Sequence, residues 1–391
     1  MAVGPDLPAL APAAGRGNGP AGAARPHRPG AIASTDADFR AASANLSVRP
    51  DTPEADNSAD VLKRHYGLAG ATATLSSEVE RTVAVALPDG RRLILKTSTR
   101  PEAVDSFRFQ STVLAGLEGA AGFIAPQVLR TRGGALTFEE HGLCGYLQTR
   151  IDGLPLHRAT PAPALLFRTG SALARLDLAL AQSGPPAADR PVLWNIGCWP
   201  RLTELARDLP SGAVADTVRT AMAAYVGEIA PQIADLTWQI THNDPSPHNM
   251  IVTDRGLGFI DFGNGGWNPR IQDLAIAAGH VVTDPALALG GAEHLIAGYA
   301  SVLPVSALEA RLLGGLMKAR QSALILVNHW RAQLFPAEAA YIKKNVARAE
   351  RGLAILARLD GPAGEAAVRA ALDLPPPEAP GGPHHQTGSR P

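Results

Sequence analysis

Cysteine is nearly absent: the 391 residues contain two, Cys144 and Cys198. Two thiols allow at most one disulfide and offer no metal-binding spacing, so they are expected to be reduced thiols of a cytoplasmic protein. Net charge is absent as well. Lys plus Arg and Asp plus Glu stand at 36 each, and a balanced chain has no general attraction for nucleic acid or an anionic membrane. No apolar run approaches the ~18 residues that span a bilayer. The start, "MAVGPDLPALAPAAGRGNGPAGAARP", has no charged segment leading into an apolar core, so no signal peptide is expected. What is present is ample apolar content, 46% against 18% charged residues, enough for a large core.

Residues 1 to about 35 and 374–391 are rich in Pro, Gly and Ala and are expected to be disordered tails. The second holds His384 and His385, but no neighbours complete a metal-ligand set. Between the tails the pattern changes once. From about 70 to 150 it is β-rich: "TVAVAL" and "RLILK" flank "PDG", a hairpin signal because Asp-Gly tolerates a tight turn. "PEAVDSFRFQSTVLAGLEG" has helical spacing, with Phe109, Val113 and Leu117 on one face. "PQVLR", "ALTF" and "LCGYLQT" follow as short strands. From about 160 the pattern is helical, interrupted by the hairpin "NMIVT"–"DRG"–"LGFID". This predicts an α+β chain with a small sheet lobe carrying one helix (residues 45–150) and a larger, mainly helical lobe (151–360). A linker near Gln148–Gly153 joins them, and the cleft between lobes is a common ligand site.

The chemistry concentrates in "THNDPSPHNMIV" and "GLGFIDFGNGG". The hairpin should return Asp261 to the neighbourhood of Asn249, converging a carboxylate and an amide oxygen on one point, ligands suited to Mg²⁺. Asp244 would face the same place, where a carboxylate can orient a hydroxyl and accept its proton. A polar turn explains each residue singly. It does not explain an acid, Asp261, ending an apolar strand.

"HNDPSPHN" followed by "IDFG" resembles the catalytic and metal motifs of the aminoglycoside phosphotransferase and choline kinase superfamily, relatives of protein kinases. The resemblance implies a bilobal protein-kinase-like fold, with Asp244 as catalytic base, His242 bracing its loop, and Asn249 and Asp261 holding Mg²⁺. It further implies that Lys96, ending "RLILK", touches nucleotide phosphates. The helix position that would pair with this lysine is Gln110 rather than the usual Glu, so no ion pair is expected there; Glu78 is an alternative partner. No G-x-G-x-x-G precedes Lys96, and Ser76 and Ser77 with nearby backbone N–H groups are left as phosphate donors. Gln148 and Thr149 lie in the linker expected to meet the purine through its backbone.

Within the superfamily the chain most resembles the hydroxylysine kinase group, over roughly residues 45–360. The resemblance rests on "LSSEVERTVAV", "LILK", "FRFQ", "RPVLWNI", "GFIDFGN", "RIQDLAIAAGH", "LIAGYASVLPVS" and "NHWRAQLFPAEAAYI". It implies transfer of phosphate from GTP or ATP to the side-chain hydroxyl of an amino acid such as 5-hydroxy-L-lysine. Asn243 departs from the group's Gly between His and Asp, and "EVERT" departs from an acidic-polar-Asn pattern. Asp273 is a candidate substrate acid or, better, a brace for the site; Arg270, Trp194, Trp330 and Arg331 are candidate pocket residues, with core packing the better reading for the tryptophans and a solvated helix face at least as good a one for the arginines. Other acceptors (an aminoglycoside, homoserine, choline or ethanolamine) and a nucleotide-binding pseudokinase remain alternatives. The acceptor, the choice between ATP and GTP, and the oligomeric state stay open.

Overall fold

The computed structural model describes residues 35–48, 57–75, 80–185 and 190–377. Ser76, Ser77, Glu78, most of the two expected tails and the His384–His385 pair lie outside them.

Among the described residues, six strands build one sheet in the order β1 (Ala71–Leu75), β2 (Arg81–Ala86), β3 (Arg92–Ser98), β6 (Leu143–Thr149) and β4 (Val128–Leu129), with β5 (Phe138–Glu140) also on β6. All pairings are antiparallel. Alternation along the strands assigns the faces. Val83, Val85, Leu93, Leu95 and Leu147 form a small core with Val61, Leu62 and Phe138 on one side. Val61 ends α2 (Ser58–Val61), and Leu62 opens the turn after it. Ile94 and Lys96 therefore point the other way, opposite Gln148 and Tyr146. On that side lies α3 (Ala103–Gly116), which buries Phe107, Phe109 and Val113, with Leu117 buried just beyond its end. The hairpin and the helix stand where the sequence predicts them. The helix α1 (Asp36–Leu46) was not foreseen. It carries a Thr35–Asp38 capping box, buries Phe39, Ala42 and Leu46, and holds Arg201 over the Phe39 ring.

Past the linker come β7 (Leu154–Pro155) and α4 (Pro163–Leu180), then α5 (Ala213–Ala224). Two short ladders follow: β8 (Trp238–Thr241) pairs with β11 (Gly266–Pro269), and β9 (Met250–Thr253) pairs with β10 (Gly256–Phe259) and with β7. Their order decides the site. The β9–β10 hairpin is inserted between two partner strands, so the loops at 242–249 and 260–265 must leave the ladders at neighbouring ends.

The helical mass comprises α6 (Ile271–Val281), α7 (Glu293–Ala300), α8 (Ala307–Leu334), α9 (Ala339–Ile342), α10 (Val346–Leu356) and α11 (Gly361–Leu372). The long α8 opens on a Ser306–Glu309 capping box. Glu309 also takes a bidentate pair from Arg270 at 2.7 and 2.8 Å, which assigns Arg270 to the scaffold. Helices α4 and α7 cross with their backbones almost touching. A Cβ on Gly298 would stand 1.9 Å from the Phe167 carbonyl oxygen, and one on Gly170 1.9 Å from that of Leu295. Gly298→Ala is therefore expected to destabilise the fold by about 1–3 kcal/mol through overpacking, read as a drop of several degrees in thermal melting. No helix among the described residues is long and apolar enough to cross a membrane.

Candidate active site

The two loops form the floor of a cavity of about 660 Å³ at the junction of the lobes. Lys96, Gln148, Thr149, Asp244, Asn249 and Asp261 all line it, so most of the residues singled out in the sequence meet in one place.

Lys96 is buried and satisfied on three sides. Its Nζ donates to Gln110 Oε1 at 3.1 Å and to Asp261 Oδ1 at 3.0 Å, and it forms an ion pair with Glu80. Burial by itself depresses an ammonium, but the Asp261 and Glu80 carboxylates outweigh it and hold Lys96 well above its ordinary range. Gln110 is fully used: Oε1 also accepts from the Tyr146 hydroxyl at 2.9 Å, and Nε2 donates to Ser106 Oγ and Glu80 Oε2. The glutamine thus orients the lysine while Glu80 supplies the missing charge. Sequence reading missed Glu80, although a signal existed. Thr82 lies opposite Lys96 in the β2–β3 register, and a residue two positions before Thr82 shares its face.

Asp261 follows β10 in a left-handed conformation, φ 66° and ψ 72°, a strained state for a non-glycine residue. The kink aims its carboxylate into the cleft, where the side chain stays half exposed. The Lys96 charge draws its pKa below the usual carboxylate range. Asn249 is tied to the same turn through Ile260 N–H to its carbonyl at 2.9 Å. The Asn249 amide nitrogen donates to the Asp244 carboxylate at 2.9 Å and to its carbonyl at 3.1 Å. With the nitrogen so engaged, the amide oxygen is the end left for another partner. An amide oxygen beside a carboxylate kept ionised is the donor set a hard divalent cation takes, so the residues fit Mg²⁺.

His242 is fully buried under this turn. Burial pulls its pKa down to about 4, so the ring is neutral near pH 7. Its Nε2 meets the Ile260 carbonyl at 3.0 Å and its Nδ1 lies 3.3 Å from the Asp244 N–H. One nitrogen must donate and the other accept, which selects the Nε2–H tautomer. The ring joins the loop bearing Asp244 to the one bearing Asp261. Asn243 adopts φ 62°, where Gly is favoured and Asn is the next most tolerant residue. Its amide then donates to Asn195 and Asn264 at 2.9 Å each and accepts from Gln272. The departure from Gly is thus accommodated and adds three tethers.

Asp273 braces the loop from beneath, accepting the His242 and Asn243 backbone N–H groups at 2.7 Å each. Burial raises its pKa to about 6, and burial raises that of the adjoining Asp177 well above the normal range. With two amide donors, Asp273 is the member of the pair that stays ionised. Asp273 is a brace and does not line the cavity, and neither do Arg270, Trp330 and Arg331; Trp194 does. In the linker, Gln148 is buried, while the Thr149 and Arg150 N–H groups donate to Gln127 and Arg92 carbonyls at 2.9 Å. Sequence reading also missed Arg190, which crosses the Phe109 ring at 4.7 Å and donates to the Gly263 and Gly265 carbonyls, clamping the loop after Asp261.

Comparisons with known proteins bear on the family and the fold. Residues 72–305 match the profile described as the phosphotransferase enzyme family. Hydroxylysine kinase of Danio rerio is 25% identical over 337 residues, covering 80% of this chain and 94% of that protein. The Mus musculus hydroxylysine kinase is 24% identical over 269 residues, covering 63% and 70%. Amicoumacin kinase, solved with AMP-PNP and Ca²⁺, superposes with a TM-score of 0.59 at 14% identity over 77% of this chain and 93% of its own. A microcompartment-associated aminopropanol kinase superposes with 0.51 at 16% identity, covering 81% and 98%. These likenesses bear out the α+β, bilobal kinase-like fold. Because the profile spans well over half of it, the chain belongs to the phosphotransferase enzyme family, and is an enzyme that transfers a phosphoryl group to a hydroxyl acceptor.

Proposed function

We propose that this small-molecule kinase transfers the γ-phosphate of GTP or ATP to the side-chain hydroxyl of an amino acid, with 5-hydroxy-L-lysine the first candidate. The observation that carries the reading is the convergence of Lys96, Asp244, Asn249 and Asp261 on one cavity between the lobes. The similarity to hydroxylysine kinases across 94% of the Danio rerio protein supports the acceptor.

In this reading residues 45–150 carry the nucleotide and 151–360 the acceptor. Lys96, held rigid by Glu80, Gln110 and Asp261, presents a fixed positive charge to the phosphates. Gln148 and Thr149 flank the base. Asn249 and Asp261 would hold Mg²⁺, which when bound neutralises phosphate charge. Asp244 orients the acceptor hydroxyl and receives its proton as the oxygen attacks phosphorus. His242 and Asp273 act on positioning, since they fix the two loops. Catalysis then arises from alignment and fixed charge. The two cysteines are buried and are not joined in a disulfide, which suits a reducing compartment such as the cytoplasm.

The test is nucleotide consumption with Mg²⁺ and either ATP or GTP against 5-hydroxy-L-lysine, homoserine, choline, ethanolamine and an aminoglycoside. Turnover is expected with the hydroxylated amino acids. Turnover with choline, ethanolamine or the aminoglycoside alone would replace the acceptor, and failure to bind Mg-nucleotide would remove the kinase assignment of the site.

A further inference from the structure

A buried arginine that the mechanism above does not use stands beside Asp244. Arg320, on α8, is 5% exposed and lines the cavity. Its Nη2 lies 3.3 Å from Asp244 Oδ1, and its guanidinium stacks 4.6 Å over the Trp194 ring. Its Nε and Nη1 are buried and have no hydrogen-bond partner among the described residues. Burial pulls its pKa below the ordinary value, against the opposing Asp244 charge. Nearby, His280 on α6 lines the same cavity with an unpartnered Nε2, and His248 and Lys344 line it too. Among the described lining residues the helical lobe contributes two acids, Asp244 and Asp261, both already engaged. Burial keeps His248 and His280 neutral, so the charges that line this end are Arg320 and Lys344 with the single carboxylate of Asp244. A buried guanidinium with part of its donor set unused is costly, and it is the group best matched to a carboxylate.

We infer that Arg320 binds a carboxylate of the acceptor, so that the acceptor must carry a carboxylate and a hydroxyl on one molecule. The inference rests on the kinase reading and narrows it. The carboxylate docks on Arg320 against Trp194, and this fixes the hydroxyl at the neighbouring Asp244. The arginine then acts as a ruler from anchor to base. Acceptors lacking a carboxylate, such as choline or an aminoglycoside, leave the Nε and Nη1 donors of Arg320 unmatched.

The experiment is calorimetric titration of 5-hydroxy-L-lysine and its methyl ester into the full chain loaded with Mg²⁺ and a non-hydrolysable nucleotide. The ester keeps the hydroxyl and both amines and loses the anion. Wild type is expected to bind the acid at least about tenfold more tightly than the ester, and Arg320→Gln to bring the two together by weakening the acid alone. Arg320→Lys, which keeps the charge beside Asp244, should retain part of the preference and report on folding. Equal binding of acid and ester by wild type overturns the inference. So does an equal loss for both ligands in Arg320→Gln, which would make Arg320 only a positioning partner of Asp244. If nucleotide binds and neither ligand does, this carboxylate acceptor is wrong while the kinase reading stands. If nucleotide itself does not bind, both fall.

Discussion

Replacing Asp244 with Asn is expected to lower kcat by about a thousandfold, the range of a lost general base, while the dissociation constant for Mg-nucleotide changes by less than about threefold. The asymmetry follows from what Asp244 touches. Its carboxylate meets the Asn249 amide and Arg320, whereas Lys96, the residue assigned to the phosphates, is held by Glu80, Gln110 and Asp261. Asparagine keeps the shape and leaves the loop on its brace at Asp273. It removes the negative charge and the ability to accept a proton. Steady-state kinetics together with a nucleotide-binding titration separate the two quantities. Full activity in Asp244→Asn would show that the proton leaves by another route, and a parallel loss of nucleotide binding would show that the substitution disturbs the loop.

The second large effect belongs to Asp261. Asp261→Asn is expected to weaken nucleotide binding about a hundredfold in the presence of Mg²⁺, equivalent to ~2.8 kcal/mol, and to change it little when Mg²⁺ is withheld. The carboxylate has two tasks. In the proposed site it would offer a charged oxygen to the cation, and it shares Lys96 with Glu80. Without it Lys96 keeps Glu80 and Gln110, so the lysine remains placed and metal-free binding survives. Asparagine also tolerates the left-handed backbone at this position better than most residues, so a fold-wide loss is not the expected cause. Titrations with and without Mg²⁺ decide the matter. Equal weakening in both conditions would mean that Asp261 serves chiefly to position Lys96.

Much of this was open to reading before any coordinates. The pattern His-x-Asp, four residues, Asn, then Ile-Asp-Phe is local. The residues sit on two loops bracketing one hairpin, and hairpin geometry alone brings Asn249 toward Asp261. Strand alternation likewise sets Lys96 apart from Leu93 and Leu95. Period and turn chemistry act over a few residues, so the hairpins, helix α3 and the position of the loop bearing Asp244 were all legible.

The partners that complete the site were not. Glu80 reaches Lys96 only once β2 and β3 adopt their register. Arg320 comes from a helix 76 positions after Asp244, and nothing in "GGLMKARQSALIL" distinguishes it from an arginine on a solvated face. Arg270 was proposed for the pocket and instead pairs with Glu309. Asp273 was read as a brace from the sequence, but the two backbone N–H groups it accepts are brought to it only by the fold. The sequence by itself determined which chemical groups the chain carries, the local elements that present them and the family they belong to, because those signals depend on near neighbours. Tertiary structure alone decided which distant charges are paired and which are left for a ligand, because pairing depends on burial and on helix crossings that no short-range pattern encodes.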